Sequence, residues 1–457
     1  MSARRRKPER RAELVVDRLS PKGDGLASLE QATVEVPRAV PGDHVEVVLG
    51  RKRRGHYQSR VLQLLQPGLP RREPPCSHFG HCGGCRWQDL NETHQLALKE
   101  GMVREALQAH EVDPGVWHDI LGAASPLRYR NKMEFSFGAD RAGKRFLGLH
   151  ERGRFDRVFD LESCHLQHES GDRVVASVRR HAADLELSIY HLRHHEGLLR
   201  FLVVRRTEHH GQLMVNLVVS EYPRPDVDAL VDRVLDDVPD ITTFIVTLHT
   251  GRAQTARGQR EFVRTGSGHM LEECNGLTFE VSPHAFLQPN TRQAEVLYRQ
   301  VLAAAGPLDG VAALDLYCGI GSISMHLARS ADRVIGIEEV ADAVLDAKRN
   351  AKRNDLTNCQ FVAGRVEDLL PGFAAAGARF ALAVVDPPRA GLHDRALAAL
   401  VGLAPTAIVY VSCNPQQLAV DLRALVEGGY RVEHIQPVDL FPQTPHCEVV
   451  ARLTRPA

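Results

Sequence analysis

The chain has 457 residues, of which 43% are hydrophobic and 25% are charged, and its formal net charge is +0. This is the balance of a globular protein, and the length exceeds what one hydrophobic core usually supports, so we expect two or three domains. No run of about eighteen apolar residues predicts a membrane span, and no apolar stretch follows the basic N-terminus as in a secretory signal. We therefore expect a cytoplasmic protein without membrane contacts, and we also expect a monomer.

The charge is unevenly distributed along the chain. Residues 1–72 contain 16 Lys and Arg against 8 Asp and Glu, a formal charge of +8, so the remainder carries −8. A basic segment on an acidic body favours a polyanionic partner, and nucleic acid is the obvious candidate. For residues 1–12 alone, a disordered and solubilising tail is an equally good interpretation.

Residues 12–66 are predicted to form short strands separated by turns. Their β-branched content and spacing are typical of a small OB-like barrel. The basic stretch Arg51-Lys-Arg-Arg54 is predicted to lie in a loop of this barrel, where it suits contact with an RNA backbone. The predicted strands are Glu13–Asp17, Thr33–Val36, His44–Val48 and Arg60–Leu64.

Three of the nine cysteines, Cys76, Cys82 and Cys85, fall within ten residues. In a reducing compartment such clustering indicates a metal or an iron–sulfur cluster rather than disulfides. Together with the distant Cys164 they could form a four-thiolate site. On spacing alone zinc would be favoured, with His78 and His81 as further possible ligands.

A linker rich in Pro and Arg covers residues 67–75, and a helix is predicted near 93–109. Residues 126–270 alternate in polarity, which predicts an antiparallel sheet with helices such as Val227–Val238, an α+β domain. The predicted strands are Lys132–Phe137, Leu199–Val204, Leu213–Val219 and Thr243–Thr247.

From about residue 280 apolar strands alternate with helices, which predicts a doubly wound α/β domain with a parallel sheet. We therefore divide the chain into a basic arm and barrel at 1–66, a cysteine loop with a central α+β domain at 67–279, and the α/β domain at 280–457. The helix near 93–109 is expected to pack on the last of these. The predicted parallel strands are Val311–Leu316, Arg333–Glu338, Gln360–Val362, Ala381–Asp386 and Ala407–Ser412.

A glycine-containing turn, Asp315-Leu-Tyr-Cys-Gly-Ile-Gly-Ser322, follows the first of these strands and opens a helix. The acidic Glu338 ends the second strand, where its carboxylate can accept both ribose hydroxyls of an adenosine cofactor. These features fit NAD as well as S-adenosylmethionine. Ser324 stands where the dinucleotide fingerprint has its third glycine, which favours S-adenosylmethionine.

The next two strand ends carry Asp386-Pro-Pro-Arg389 and Ser412-Cys-Asn-Pro415. Ligands bind outside the carboxyl ends of parallel strands, so both motifs are expected to face the pocket that Tyr317 and Glu338 line. A cysteine on such a turn is exposed for nucleophilic attack, although a lone cysteine is otherwise a small buried hydrophobe.

Glu448 precedes the last predicted strand, Val449–Leu453. If that strand is antiparallel to the others, Glu448 joins Cys413 at one mouth and can serve as a base. Uracil C5 is too weak a nucleophile to take a methyl group directly. A thiolate added at C6 activates C5, and a base then removes the C5 proton, so this residue set suits methylation of a base flipped out of its stack.

These motifs together resemble the RNA 5-methyluridine methyltransferase family. The matching segments are Phe286-Leu-Gln-Pro-Asn290, Asp315-Leu-Tyr-Cys-Gly-Ile-Gly321, Asp386-Pro-Pro-Arg-Ala-Gly391, Val411-Ser-Cys-Asn-Pro415 and His446-Cys-Glu448. The resemblance implies a Rossmann-like domain with Cys413 as nucleophile and Glu448 as base. The contacts to S-adenosylmethionine that it implies are Gln288, Tyr317, Glu338 and Asp386, with Ser322 and Arg365 near further contacts.

The N-terminal barrel resembles the TRAM domain, an RNA-binding module, and the four cysteines resemble the [4Fe–4S] site of the family's ribosomal-RNA branch. The resemblance implies 23S ribosomal RNA as substrate, because the transfer-RNA branch typically lacks both features. It also implies that there is no DNA partner. The alternatives are a tRNA uracil-5-methyltransferase, a base-amino methyltransferase, whose chemistry needs no cysteine, and a non-catalytic RNA-binding iron–sulfur protein.

Overall fold

A computed structural model describes residues 9–140, 143–154 and 156–455. The first eight residues of the predicted basic arm lie outside this part of the chain. Three six- to eight-stranded sheets and one two-stranded hairpin form the architecture. Among the described residues, no helix combines the length and apolarity needed to cross a bilayer.

The N-terminal sheet curls into the expected OB-like barrel, with strand order β1-β5-β6-β4-β3-β2. Buried and partly buried side chains alternate along β4 and the first half of β5, so one face fills the barrel with residues such as Val34 and Val47. The strands are β1 Arg10–Val15, β2 Arg18–Leu19, β3 Gly25–Leu29, β4 Ala32–Val36, β5 His44–Arg53 and β6 His56–Gln66.

The predicted loop position of the basic stretch is wrong. Arg51–Arg53 end β5, and Arg54 with Gly55 forms a two-residue turn in which both residues have positive φ, 47° and 83°. Tight hairpin turns require this conformation, which glycine adopts without strain. The four basic side chains therefore project from a β-hairpin.

Helix α1, Glu92–Ala109, and strand β7, Val116–Trp117, follow the barrel and the cysteine loop. Asn91 caps α1 by accepting from the His94 amide at 2.9 Å. The buried face of α1 packs against the C-terminal α/β core, and two of its partly buried side chains also pack against a cluster that includes barrel residues. This is the packing that the sequence predicts for the helix.

The central sheet has strand order β13-β12-β11-β10-β8-β9. The predicted all-antiparallel arrangement is wrong at one place, since β11 and β12 are parallel. Helix α3 lies between them in sequence, and a crossover through a helix returns the chain in the same direction. The elements are β8 Lys132–Ala139, β9 Arg145–Gly148, α2 Glu169–Asp184, β10 Leu199–Arg206, β11 Leu213–Val219, α3 Pro225–Asp237, β12 Ile241–Leu248 and β13 Arg260–Thr265.

A hairpin of β14, Met270–Cys274, and β15, Leu277–Val281, leads into the C-terminal region. Its turn is Asn275-Gly276, with φ of 48° and 77°, as expected for a type I′ hairpin. Leu277 and Phe279 are buried in the same core as helix α4, Thr291–Ala305. The hairpin thus covers one face of the next sheet.

The C-terminal sheet has strand order β18-β17-β16-β19-β20-β22-β21-β7, with helices on both faces. Strands β16 to β20 are parallel, and β22 runs antiparallel between β20 and β21. The elements are β16 Ala312–Leu316, α5 Ser322–Ala328, β17 Arg333–Glu338, α6 Ala341–Arg353, β18 Cys359–Ala363, α7 Val366–Ala375, β19 Leu382–Val385, α8 Asp394–Leu403, β20 Ala407–Ser412, α9 Pro415–Glu427, β21 Arg431–Val438 and β22 Glu448–Thr454.

Candidate active site

A cavity of about 1010 Å³ opens at the carboxyl ends of the parallel strands, where open α/β sheets bind ligands. Arg365, although predicted from sequence, does not line it, and its guanidinium pairs with Glu367 at the start of α7. Burial raises the pKa of the Tyr317 phenol to about 12, and the nearby charge of Arg365 opposes that rise. The predicted residues that do line the cavity are Gln288, Tyr317, Ser322, Glu338, Asp386, Cys413 and Glu448.

The turn after β16 is held to the end of β17 by backbone hydrogen bonds. The amides of Tyr317 and Cys318 both donate to the Ile337 carbonyl, at 2.9 and 3.0 Å. Tyr317 has a φ of 67°, a left-handed conformation that costs energy in a non-glycine residue and that often marks functional turns. The turn brings the Gly319 amide to Glu338 Oε2 at 3.0 Å, which fixes this carboxylate at the cavity wall.

Two carboxyl groups, the buried Asp315 and the partly buried Asp386, lie on neighbouring strand ends. Burial raises the pKa of Asp315 and of Asp386 to about 7 each, and the charge of Asp315 adds to the shift at Asp386. Ser324 donates to Asp315 Oδ2 at 2.5 Å, whereas Oδ1 is buried without a hydrogen-bond partner among the described residues. A ligand with hydroxyl donors or positive charge would satisfy these groups, which fits S-adenosylmethionine.

Cys413 and Glu448 come together because the last strand is antiparallel. Ser412 pairs with Val449 across β20 and β22, so the next residue of one strand and the preceding residue of the other share an edge. Burial raises the pKa of the Cys413 thiol to about 11, and the charge of Glu448 adds to that shift. Glu448 is 3% exposed, and burial raises its pKa to about 8. The antiparallel direction of β22, which this placement of Cys413 and Glu448 requires, is therefore present.

The sequence motifs alone give no role to Arg389 and His446, yet both line the cavity beside Cys413. Arg389 Nη2 lies 3.2 Å from His446 Nδ1, and the guanidinium charge opposes the rise in the pKa of Cys413 and of Glu448. Burial, with the positive charge of Arg389 next, lowers the pKa of His446 to about 4. The imidazole is therefore neutral at pH 7, and its Nδ1 accepts from Arg389. Both residues stand within the Asp-Pro-Pro-Arg and His-Cys-Glu motifs, which is the signal that points to them.

A second cavity, of about 660 Å³, is lined by Cys76, Cys82, Cys85 and Cys164. Burial raises the pKa of Cys82 to about 11 and that of Cys85 to about 12, and the neighbouring cysteines raise both further. N–H donors already face two sulfurs, from Gly84 to Cys82 at 3.3 Å and from Gln88 to Cys85 at 3.1 Å.

These four thiols suit a soft metal in donor chemistry and share one cavity. Within the described ranges, however, no three His, Cys, Asp or Glu side chains are arranged to hold a metal ion. His78 accepts from the Glu162 amide at 3.1 Å, and His81 lies near Glu151. The cluster and its ligands therefore stay a prediction.

Comparisons with known proteins identify the family of this chain. A family model described as tRNA (Uracil-5-)-methyltransferase matches residues 259–455. An uncharacterized RNA methyltransferase of Halalkalibacterium halodurans is 34% identical over 96% of both chains, and one of Chlorobaculum tepidum is 38% identical over 91% of this chain and 90% of its own.

One solved structure resembles nearly the whole chain. The tRNA (uracil-54, C5)-methyltransferase of Pyrococcus abyssi, in complex with S-adenosyl-L-homocysteine, has a TM-score of 0.76 and 24% identity, and the match covers 97% of this chain and 100% of that one. At this level of identity the likeness concerns the fold. It confirms the predicted Rossmann-like fold class.

Proposed function

This chain belongs to the RNA uracil-5-methyltransferase family, and from that premise we propose that it methylates C5 of a specific uridine in RNA through a covalent bond between Cys413 and C6 of the base. The observation that carries the proposal is the meeting of Cys413 and Glu448 in the cavity that Glu338 and Asp386 also line. A nucleophile, a base and a cofactor site then face one substrate, as this chemistry requires.

The cofactor side of the cavity suits S-adenosylmethionine, which supplies the methyl group. Glu338 is oriented by the amides of Gly319 and Val340, at 3.0 and 2.8 Å, and its remaining lone pairs can accept ribose hydroxyls. The carboxyls of Asp315 and Asp386 favour a positively charged ligand. The further contacts proposed are Gln288, Tyr317 and Ser322, with Arg365 outside the cavity wall.

The protein residues carry the rest of the reaction. The Cys413 thiol gives its proton to water, and Sγ bonds to C6, so that the electron pair of the C5–C6 bond moves toward the C4 carbonyl and makes C5 nucleophilic. After C5 has taken the methyl group, Glu448 removes the proton that C5 still carries. The double bond re-forms as the bond between Sγ and C6 breaks.

Arg389 assists both of these residues electrostatically. Its positive charge opposes the effect of burial on the pKa of Cys413 and on the pKa of Glu448. The charge favours the thiolate that attacks C6 and the carboxylate that takes the C5 proton. His446 stays neutral beside it, which keeps a second positive charge out of the cavity.

For the substrate we propose 23S ribosomal RNA, with tRNA as the second candidate. The family resemblance favours ribosomal RNA because the tRNA branch typically lacks the barrel and the cysteine loop. The Pyrococcus abyssi tRNA enzyme matches 97% of this chain, which weakens that preference and favours testing tRNA equally. Methylation of 23S and tRNA transcripts by the purified protein distinguishes the two candidates.

The basic hairpin, defined as Arg51–Arg54, is proposed to contact the RNA backbone. Close by on the barrel, Arg10 and Lys52 lie over the ring of Tyr57 at 5.6 and 5.5 Å, so positive charge and an aromatic face occur together. This combination is typical of surfaces that bind single-stranded nucleic acid.

The proposed functional division of the chain is the one into residues 1–66, 67–279 and 280–457. The protein is proposed to act as a monomer in the cytoplasm.

The cysteine cavity is proposed to hold a [4Fe–4S] cluster on Cys76, Cys82, Cys85 and Cys164. Support comes from the four thiols around one cavity and from the N–H donors that face Cys82 and Cys85, since hydrogen bonds to sulfur tune such clusters. The proposed methylation has no redox step, so a structural or RNA-positioning role fits best.

The covalent step is tested with RNA that carries 5-fluorouridine at the target position. Fluorine cannot leave as a cation, so the wild-type protein should form a stable methylated adduct with the RNA. Cys413→Ala should form none, while Cys359→Ala, which alters a cysteine outside the cavity, should behave as wild type. An adduct in Cys413→Ala would remove the proposed nucleophile.

Glu448→Gln tests the second step on ordinary uridine RNA. Addition and methyl transfer need no base at C5, so the adduct should form and then accumulate, with turnover lowered about 10²- to 10⁴-fold. Free methylated RNA at the wild-type rate would show that another group takes the proton.

A further inference from the structure

The 439–447 loop connects β21 to Glu448, and side chains of α1 hold it in place. Lys99 is fully buried, and its ammonium donates to Asp439 Oδ1 at 2.5 Å and to the Phe441 carbonyl at 3.0 Å. A buried charge with these partners has little freedom to move, because separating the pair would leave an unpaired charge in the interior. The first half of the loop is therefore fixed.

The middle of the loop is held through Gln443, which has a φ of 69°. The Gln95 side chain accepts from the Gln443 amide at 2.9 Å and donates to its Oε1 at 3.0 Å. The amides of Arg86 and Trp87 both donate to the Gln443 carbonyl, at 2.8 and 3.2 Å. The segment after the cysteine loop therefore also holds the 439–447 loop in place.

The end of the loop touches the N-terminal barrel instead. Gly23, in the turn between β2 and β3, lies so close to Pro445 that an added Cβ would overlap Pro445 Cβ and come within 2.7 Å of its Cγ. The same atom would lie 3.2 Å from the ring of the fully buried Trp87. Pro445 is three residues before Glu448, so this contact is close to the proposed base.

Charged contacts hold the barrel turn in place. Asp24, next to Gly23, accepts from Arg86 Nη1 at 2.6 Å and is also paired with Arg152 of the central region. Its Oδ1 accepts from the Arg38 amide at 3.0 Å as well. Because the Arg86 amide binds Gln443, Asp24 is linked to the loop at a second point.

We infer that the barrel turn Ser20–Gly25 positions Glu448. Within this turn, Gly23 is the residue whose close contact with Pro445 fixes the position of the 439–447 loop. This inference rests on the proposed role of Glu448 as the base. A basic barrel would by itself suggest that residues 1–66 supply RNA affinity alone and the pocket supplies chemistry. The contact makes the barrel part of the support for the release step, so removing the barrel should impair chemistry as well as binding.

The test compares Gly23→Ala with Gly310→Ala in the full-length protein. Both glycines have nearly the same left-handed conformation, with φ of 75° and 73°, but an added Cβ at Gly310 meets no described atom within 4 Å. The backbone strain of the two substitutions is therefore matched, and the contact with Pro445 differs. Adduct on ordinary uridine RNA, turnover, RNA affinity and thermal stability are measured for each, with Glu448→Gln as reference.

Gly23→Ala should lower turnover about 10- to 100-fold, the effect of displacing a catalytic group by roughly 1 Å, and adduct should accumulate as in Glu448→Gln. RNA affinity should stay at the wild-type level, and Gly310→Ala should turn over normally. A general loss of structure would lower adduct formation, so accumulation separates positioning from unfolding.

Asp24→Asn provides a second variant if Gly23→Ala does not fold. It weakens the contact to Arg86 without adding volume, and a smaller accumulation of adduct is expected. Adduct in Glu448→Gln but in neither barrel variant would overturn the inference. No adduct in Glu448→Gln would instead overturn the proposed base.

Discussion

Two cavities of this protein are lined by cysteines. Burial raises the pKa of the thiols in both cavities, but the groups near those thiols differ. In the candidate active site, burial raises the pKa of Cys413 to about 11, and the groups around it are Glu448, Arg389 and Asp386. In the cysteine cavity, burial raises the pKa of Cys85 to about 12, and the titratable groups that act on Cys85 are the other three thiols of that cavity.

Burial and thiol pKa therefore do not distinguish a nucleophile from a metal ligand in this molecule. A nucleophile needs a base and a cation nearby, which the cavity at Cys413 contains. A ligand needs further thiols, because a soft metal is bound by several sulfurs at once. If this difference in neighbours separates the two functions, matched changes in the two cavities should have different effects.

The largest effect is expected from making one substitution in both cavities. Cys413→Ala should lower single-turnover methylation by about 10⁴-fold or more, since it removes the atom that bonds to C6, and should leave the melting temperature nearly unchanged. Cys85→Ala should lower the melting temperature and have a much smaller effect on methyl transfer. Equal losses of activity in the two variants would abolish the distinction.

Iron content is a second measurement that distinguishes the two cavities. Anaerobically purified protein should carry about four irons per chain, and Cys76→Ser, Cys82→Ser, Cys85→Ser or Cys164→Ser should each reduce that content strongly. Cys413→Ser and Cys359→Ser should retain the metal. Stoichiometric zinc without iron in the wild-type protein would replace the proposed cluster by a zinc site.

The pH dependence of the release step should report the titration of Glu448. Burial raises the pKa of Glu448 to about 8, so the carboxylate needed for release becomes more abundant as the pH rises to about 8. When release is made rate-limiting, its rate should rise about tenfold per pH unit below that value. The same rise in Glu448→Gln would assign the titration to another group.

Stability should change with pH in the opposite sense. The folded protein favours the protonated form of Glu448, because its pKa is raised from 4.5 to about 8. The resulting stabilisation is present below about 4.5 and is lost as the pH rises through about 8. The melting temperature should fall over this window in the wild-type protein and less steeply in Glu448→Gln.

The smallest effect is expected at the basic hairpin. If its side chains touch phosphates, replacing Arg51, Lys52, Arg53 and Arg54 by Gln should flatten the log–log dependence of RNA binding on salt by about one unit for each phosphate that is no longer neutralised. Arg423→Gln with Arg431→Gln is the control, since both side chains pair with glutamates outside the barrel. An unchanged slope in the hairpin variant would mean that the hairpin does not touch the RNA backbone.

Local patterns in the sequence were sufficient for much of the C-terminal region. Strands β17 and β20 begin and end where the apolar runs predict, because continuous burial and flanking turn residues specify a parallel strand locally. The motif residues follow these strands directly, so their placement at one edge is a consequence of parallel topology. The expected cofactor chemistry follows from residue type, and Glu338 is an example.

Features that depend on contacts between distant segments were decided only in three dimensions. The parallel pairing of β11 with β12, the position of Arg389 beside His446 and the exclusion of Arg365 from the cavity wall have no local signal, because each depends on which element packs next to it. The contact of Gly23 with Pro445 joins residues more than 400 positions apart. A glycine in a turn looks like flexibility in the sequence, and only packing reveals that the space for a side chain is already taken.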